Sequence, residues 1–109
     1  MQMIQAIVRP DKVDGVTDAL GKVGVTGLTV VEARGHGHQK GHTAVYRGKE
    51  YSINLLPKMS LMTVVPDELV ESVVQAIASA ARTGEIGDGR IFVSPVGYSY
   101  KIRTGERER

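Results

Sequence analysis

The hydrophobic and polar positions of this chain fall into two similar halves. In each half a short apolar run ends in Pro-Asp, once within 7–13 and once within 64–69, and a segment with helical periodicity follows. Proline fits the first turn of a helix, and an acidic residue beside it complements the helix dipole. Each half therefore predicts a strand that leads into a helix.

Both predicted helices have a glycine as their expected end. Apolar residues recur at three- and four-residue spacing before Gly24 in the first half and before Gly84 in the second. Glycine tolerates the left-handed conformation that commonly ends a helix. The periodic positions are Val13, Val16, Leu20 and Val23 in the first helix and Val70, Val73, Val74, Ile77 and Ala81 in the second.

Four segments rich in aliphatic and β-branched residues predict strands, over 3–9, 27–34, 59–65 and 90–96. The order βαβ, a long connection and βαβ predicts an α+β, ferredoxin-like fold, in which two helices cover one face of a four-stranded antiparallel sheet. Strand residues such as Val30 and Leu61 would then lie on the uncovered face. An apolar face of this kind predicts self-association.

Composition restricts the class of protein further. The chain has 109 residues, of which 41% are hydrophobic, and is expected to form one compact domain. It has no cysteine for a disulfide and no apolar run near the roughly 20 residues that span a bilayer. We therefore expect a cytoplasmic protein without membrane insertion. A net charge of +2, with four tyrosines and one phenylalanine as the aromatic residues, argues against direct nucleic-acid binding.

A glycine-rich turn directly before the last predicted strand is the strongest candidate for binding chemistry. Gly87 and Gly89 can adopt positive φ and leave backbone N–H groups unobstructed, while the guanidinium of Arg90 suits phosphate. Lys101 and Arg103 would share one face of an extended segment, so that three cations could converge on a polyphosphate. The alternative is a helix-to-strand turn that uses Asp-Gly for its geometry alone, with charges that never meet.

Several motifs, in collinear order, resemble those of the PII nitrogen-regulatory signal proteins. The resemblance implies a homotrimer of ferredoxin-like subunits that binds ATP or ADP in the clefts between neighbours, senses 2-oxoglutarate and is not an enzyme. It also implies a docking segment over about 36–54, the T-loop, which contacts a regulated enzyme, a transcription regulator or a membrane transporter. The motifs are Gln39-Lys40-Gly41-His42-Thr43, Tyr46-Arg47-Gly48-Lys49-Glu50-Tyr51, Leu56-Pro57-Lys58, Thr83-Gly84-Glu85-Ile86-Gly87-Asp88-Gly89-Arg90-Ile91-Phe92-Val93 and Ile102-Arg103-Thr104-Gly105-Glu106.

The resemblance also implies individual ligand contacts. Gln39 would coordinate Mg²⁺ together with the nucleotide phosphates and 2-oxoglutarate, and Lys58 would pair with a 2-oxoglutarate carboxylate. These roles suit the side chains, because Mg²⁺ prefers oxygen ligands and an ammonium group attracts a carboxylate. The implied phosphate contacts are Gly87, Asp88, Gly89, Arg90, Lys101 and Arg103, and the implied neighbours of adenine and ribose are Ile7, Thr29, Gly35 and Val64.

Two of these residues, and a tyrosine of the docking segment, have an alternative interpretation. Lys58 could be a solvated lysine at the start of a strand, and Thr29 could be a β-branched residue that only packs. Tyr51 occupies the position that many PII proteins have uridylylated or adenylylated, a change that would place a bulky anion on the docking segment. It could equally serve only as a contact anchor.

One of the three histidines departs from the family pattern. His38 stands where arginine is usual near the terminal phosphate, and because imidazole is mostly neutral near pH 7 we expect a weak preference for ATP over ADP. His36, His38 and His42 could together bind Zn²⁺, Cu²⁺ or Ni²⁺. The alternative function is thus a divergent PII-like regulator that responds to metal ions or another small ligand, although surface histidines usually only titrate.

A third class of function, ATP hydrolysis, is disfavoured. Asp88 is acidic and near the phosphate loop, but no position offers a compelling general base.

Overall fold

A computed structural model describes residues 1–35, 43–46, 49–52 and 55–108, with the backbone alone for the two short middle segments. The first half contains β1 (Gln2–Val8), α1 (Val13–Lys22) and β2 (Thr29–Gly35). Two short strands follow, β3 (Thr43–Tyr46) and β4 (Lys49–Ser52). The second half contains β5 (Leu56–Val65), α2 (Val70–Ala81) and β6 (Gly89–Pro95), and then the short strands β7 (Ser99–Tyr100) and β8 (Arg107–Glu108).

Strands β2, β5, β1 and β6 form one antiparallel sheet in that spatial order. The two helices pack together against one face of the sheet. Each helix is entered through a 3-10 turn that contains or follows the proline, over Pro10–Lys12 and Asp67–Leu69. The α+β, ferredoxin-like arrangement predicted from the sequence is therefore confirmed.

Side-chain alternation along the central strands places the core on the helical face. Leu61 is only 2% exposed, so the expectation that it lies on the uncovered face is wrong. The register explains this burial, because Leu61 lies opposite Ala6, whose side chain also faces the helices. The buried apolar cluster consists of Ile4, Ala6, Val8, Val16, Leu20, Leu61, Val65, Val73, Ile77 and Ala81.

The opposite face of the sheet carries apolar side chains that no helix among the described residues covers. Val31, Val64 and Phe92 are 50%, 42% and 50% exposed. They lie opposite Ser60, Met3 and Gln5, which alternate with the core positions of the central strands. Val30, also expected on this face, is 40% exposed but lies opposite Leu61, at the edge of the helical side.

The ends of the two helices differ from each other. Gly24 adopts a φ of +92°, and the next N–H, from Val25, bonds to the Leu20 carbonyl at 3.1 Å, so the predicted stop of α1 is confirmed. The predicted stop of α2 at Gly84 is wrong. Arg82 is already extended, with φ −71° and ψ 129°, and Gly84 belongs to the following loop.

Two hairpins were not predicted. Strands β3 and β4 pair within the long connection and place Tyr51 opposite Ala44, and strands β7 and β8 pair near the end of the chain. In the part of the chain that the structure describes, no helix combines the length and apolar character needed to cross a membrane.

Candidate functional site

The loop between α2 and β6, residues 82–88, is the centre of the candidate site, and we call it the glycine loop. Asp88 closes this loop on itself. Its Oδ2 accepts the backbone N–H of Thr83 at 2.8 Å and that of Gly84 at 2.9 Å, and its Oδ1 accepts the Thr83 hydroxyl. The loop is therefore shaped by its own carboxylate.

These hydrogen bonds determine the acidity of Asp88. The Thr83 hydroxyl, and then the Thr83 N–H, the Gly84 N–H and Arg9, hold the pKa of Asp88 well below its usual range. A carboxylate with a low pKa and both oxygens engaged is a weak base. Asp88 is thus suited to supporting the loop and poorly suited to activating a nucleophile.

Two cations reach the glycine loop from the sheet. Arg9, just beyond β1, places Nε 3.3 Å from Asp88 Oδ1 and donates from Nη2 to the Ile86 carbonyl at 2.8 Å. Lys58, on β5, donates from Nζ to the Gly87 carbonyl at 2.7 Å. Two successive carbonyls of the loop are therefore held by side chains from different strands.

Lys58 is buried rather than solvated, with only 8% of its surface exposed. The alternative of an ordinary solvated lysine is therefore wrong. Burial lowers the pKa of Lys58, the positive charge of Arg9 lowers it further, and the Asp88 carboxylate acts in the opposite direction. A desolvated ammonium group with a neighbouring cation gains more from a bound anion than a solvated one does.

Glycine is required where the loop joins β6. Gly87 and Gly89 have φ values of +101° and +110°. A Cβ on Gly89 would overlap the Ile7 carbonyl oxygen and lie 2.8 Å from its carbon. Arg90 follows directly and lies opposite Ile7, so the strand pairing places this residue beside the loop.

An open groove of about 340 Å³ lies beside the junction of the glycine loop with β6. Cationic, acidic and apolar residues line the groove. It is lined by Ile7, Val8, Ile77, Ala78, Ala81, Arg82, Asp88, Gly89, Arg90 and Ile91.

The sheet separates the expected nucleotide contacts into two groups. Ile7 pairs with Arg90, and Gly35 ends its strand near Lys58, so these residues lie at the glycine-loop end. Val64 pairs with Met3 at the other end of the sheet. Thr29 is exposed and pairs with Met62, midway between the two ends. Thr29 lies on the uncovered face of the sheet, and its two interpretations, a nucleotide contact and a residue that only packs, both stay predictions.

Lys101 and Arg103 belong to the far group. The Val96 N–H donates to the Met1 carbonyl at the far end of β6. Val96 lies six to seven strand residues beyond Gly89, which corresponds to about 20 Å. Beyond it, Lys101 Nζ lies 3.0 Å from Glu108 Oε1, and Glu108 borders a groove with Met1. No hydrogen bond or ion pair among the described residues joins Lys101 or Arg103 to the glycine loop.

The expectation that Lys101 and Arg103 lie on an extended segment is also wrong. Residues 102–104 form a turn, closed by hydrogen bonds from the Gly105 N–H to the Lys101 carbonyl at 2.7 Å and from the Lys101 N–H to the Glu106 carbonyl at 2.8 Å. The glycine at 105, with φ +73°, permits this turn. Within one chain, therefore, Arg90 does not converge with Lys101 and Arg103.

Other expected site residues lie outside the described residues. These are Gln39 and the three histidines of the metal hypothesis, His36, His38 and His42. Tyr51 lies in β4, where only the backbone is described. Among the residues that are described, no group of three histidine, cysteine or acidic side chains is placed to hold a metal ion.

Sequence reasoning missed Arg9 entirely. A signal was present, since Arg9 follows Gln5 and Ile7 at the two-residue period of the uncovered face and directly precedes a proline that ends the strand. This pattern places a cation at the end of the sheet. It does not reveal that the loop after α2 returns to the same point.

Comparison with known proteins identifies the family. The chain matches the family described as "Nitrogen regulatory protein P-II" over residues 1–106. It is 53% identical over 107 residues to the "Nitrogen regulatory protein P-II" of Azospirillum brasilense, covering 98% of this chain and 96% of that protein. It is 51% identical over 108 residues to the "Nitrogen regulatory protein P-II 1" of Escherichia coli strain K12, covering 99% and 96%. The chain belongs to the P-II nitrogen regulatory protein family.

Proposed function

We propose that this protein is a homotrimeric signal regulator of nitrogen metabolism. It binds ATP or ADP in clefts between subunits, senses 2-oxoglutarate together with Mg²⁺, and controls a partner protein through residues 36–54. The names of its relatives describe regulatory proteins, which supports a regulatory rather than an enzymatic role. The low pKa of Asp88 supports the same conclusion.

The separation of the cations along the sheet carries this proposal. Arg90 lies at the glycine-loop end, whereas Lys101 lies near Met1, about 20 Å away along β6. The triphosphate of a nucleotide is too short to contact both ends of one subunit. A cleft in which one subunit contributes its glycine loop and a neighbour contributes Lys101 and Arg103 would bring the charges together.

The uncovered sheet face supports the trimer. Val31, Val64 and Phe92 are each exposed by 42–50%, although they belong to three different strands of one sheet. Burial of apolar surface contributes about 25 cal/mol per Å² of area removed from water. Association through this face would bury these side chains and bring the two ends of neighbouring sheets into proximity.

Lys58 supports the sensing of a dicarboxylate such as 2-oxoglutarate. The residue is buried, and its ammonium group is held against the Gly87 carbonyl and lies next to the cation Arg9. In the proposed complex a carboxylate replaces that carbonyl as the partner of Lys58. Gln39, which lies outside the described residues, would hold Mg²⁺ between this carboxylate and the nucleotide phosphates.

The position of the docking segment supports communication with the ligand site. The chain leaves the sheet after Gly35 and returns at Leu56, and these two residues pair directly. A Cβ on Gly35 would lie 3.1 Å from Lys58 Cγ, so the base of the segment touches the sensing lysine. A ligand at Lys58 therefore acts at the root of residues 36–54, through which the cytoplasmic partner, an enzyme, transcription regulator or transporter, would be contacted.

Calorimetry tests the proposal. ATP and ADP should both bind, 2-oxoglutarate should bind only in the presence of Mg-ATP, and Lys58→Ala should abolish 2-oxoglutarate binding while nucleotide binding largely survives. Lys22→Ala, which removes an exposed lysine at the end of α1, is the matched control and should change neither. Absence of nucleotide binding, or tight 2-oxoglutarate binding to the nucleotide-free protein, would contradict the proposal.

A further inference from the structure

Two carbonyl groups of the glycine loop accept hydrogen bonds from side chains outside the loop. Arg9 Nη2 donates to the Ile86 carbonyl at 2.8 Å, and Lys58 Nζ donates to the Gly87 carbonyl at 2.7 Å. In a trans peptide the C=O bond and the following N–H bond point in opposite directions, and the described chain has no cis peptide. The N–H groups of Gly87 and Asp88 therefore point away from Arg9 and Lys58.

These two N–H groups are available to a ligand. Neither donates to an acceptor in the part of the chain that the structure describes. Successive backbone N–H groups that point the same way form a concavity that binds anions. Arg9, by contrast, has its guanidinium engaged with Asp88 and the Ile86 carbonyl.

We propose that Arg9 is a positioning residue for the anion site: it does not touch the phosphate, but orients the Ile86–Gly87 peptide so that the Gly87 N–H faces the ligand. This inference rests on the proposed binding of a nucleotide. Arg9 is suited to the task because it bridges two points of the loop, the Asp88 carboxylate and the Ile86 carbonyl, from the end of β1. A guanidinium presents donors in a planar fork and can make both bonds at once.

A simple charge effect would also weaken anion binding when Arg9 is replaced, so the two explanations need different tests. Salt distinguishes them, because the Debye length is only about 3 Å at 1 M ionic strength, and an attraction across solvent is then largely screened. The orientation of a peptide is not screened in this way. The conservative change to lysine is a second test, since lysine keeps the charge but provides a single donor group.

The experiment compares Arg9→Gln, Arg9→Lys and the control Arg34→Gln, which removes an exposed arginine from β2. ATP affinity is measured by calorimetry at 0.1 M and 1 M NaCl, and the amide signals of Gly87 and Asp88 are followed by NMR in the ligand-free protein. We expect Arg9→Gln to lose about tenfold in ATP affinity relative to wild type at both salt concentrations. It should also shift both amide signals, while Arg9→Lys recovers only part of the affinity and Arg34→Gln changes neither measurement.

Several outcomes would overturn the inference. Arg9→Gln could bind ATP as well as wild type does, or its loss could disappear at 1 M NaCl, or Arg9→Lys could recover fully. A lowered Tm with unchanged affinity and unchanged Gly87 and Asp88 signals would assign Arg9 a purely structural role. If wild-type protein itself fails to bind ATP, the proposed function fails, whereas normal wild-type binding with an unaffected Arg9→Gln variant refutes this inference alone.

Discussion

Replacing Gly89 with alanine should be the most disruptive change among the glycines whose surroundings the structure describes. The φ of +110° costs a non-glycine residue about 1–3 kcal/mol. The added Cβ would also overlap the Ile7 carbonyl oxygen, and β6 must move away from β1 to relieve that overlap. Losing one or two hydrogen bonds of the strand pair costs about 1 kcal/mol each, so the total loss is about 2–5 kcal/mol.

Thermal unfolding measures this loss. For 109 residues the entropy of unfolding is about 0.23 kcal/mol/K, so Tm should fall by about 10–20 °C at equal protein concentration. Gly84→Ala is the matched control, because Gly84 also has a positive φ, of +88°, but an added Cβ meets nothing within 4 Å. The reasoning would be refuted if Gly89→Ala lowered Tm no more than Gly84→Ala does.

Three further variants test other parts of the structure. Gly15→Ala, at an open position within α1, should raise the free energy of unfolding by about 0.4–1 kcal/mol in denaturant titration, and a decrease would contradict the open geometry. Because the pKa of Asp88 is lowered on folding, its stabilisation should be present above its unfolded value of about 4 and be lost as pH falls below it. Asp88→Asn should accordingly flatten the acid limb of the stability curve, and an unchanged limb would refute the assignment. Glu108→Gln should release Lys101 and raise ATP affinity, but by no more than about fivefold because the pair is exposed, and weaker ATP binding would contradict this.

The sequence predicts the architecture well because the architecture depends on local patterns. Pro-Asp junctions, helical periodicity and β-branched runs lead to the two strand-helix units that the structure contains. The assignment of faces is less secure, since a shift of one residue in register exchanges the two sides of a strand. Leu61 illustrates this, because its burial depends on its pairing with Ala6, which is a long-range contact.

The candidate site is only partly readable from the sequence for the same reason. The glycines and Arg90 are local signals. The positive φ values of the glycines and the position of Arg90 both follow from the turn. The contacts of Arg9 with Asp88 and of Lys58 with Gly87 join residues 79 and 29 positions apart, and neither spacing nor composition specifies them. The separation of Arg90 from Lys101 likewise becomes visible only when the strands are assembled.

The central claim, a nucleotide site shared between subunits, is tested most directly by mixing two defective variants. Arg90→Ala damages the glycine-loop end and Arg103→Ala damages the other end, and each variant alone should bind ATP poorly. When the two are refolded together at equal amounts, a cleft with an intact loop from one chain and an intact Arg103 from its neighbour should form in about one site in four. We predict that calorimetry of the mixture detects this fraction of sites with wild-type affinity. Recovery of no wild-type sites in mixed oligomers would show that one chain supplies both ends and would contradict the account.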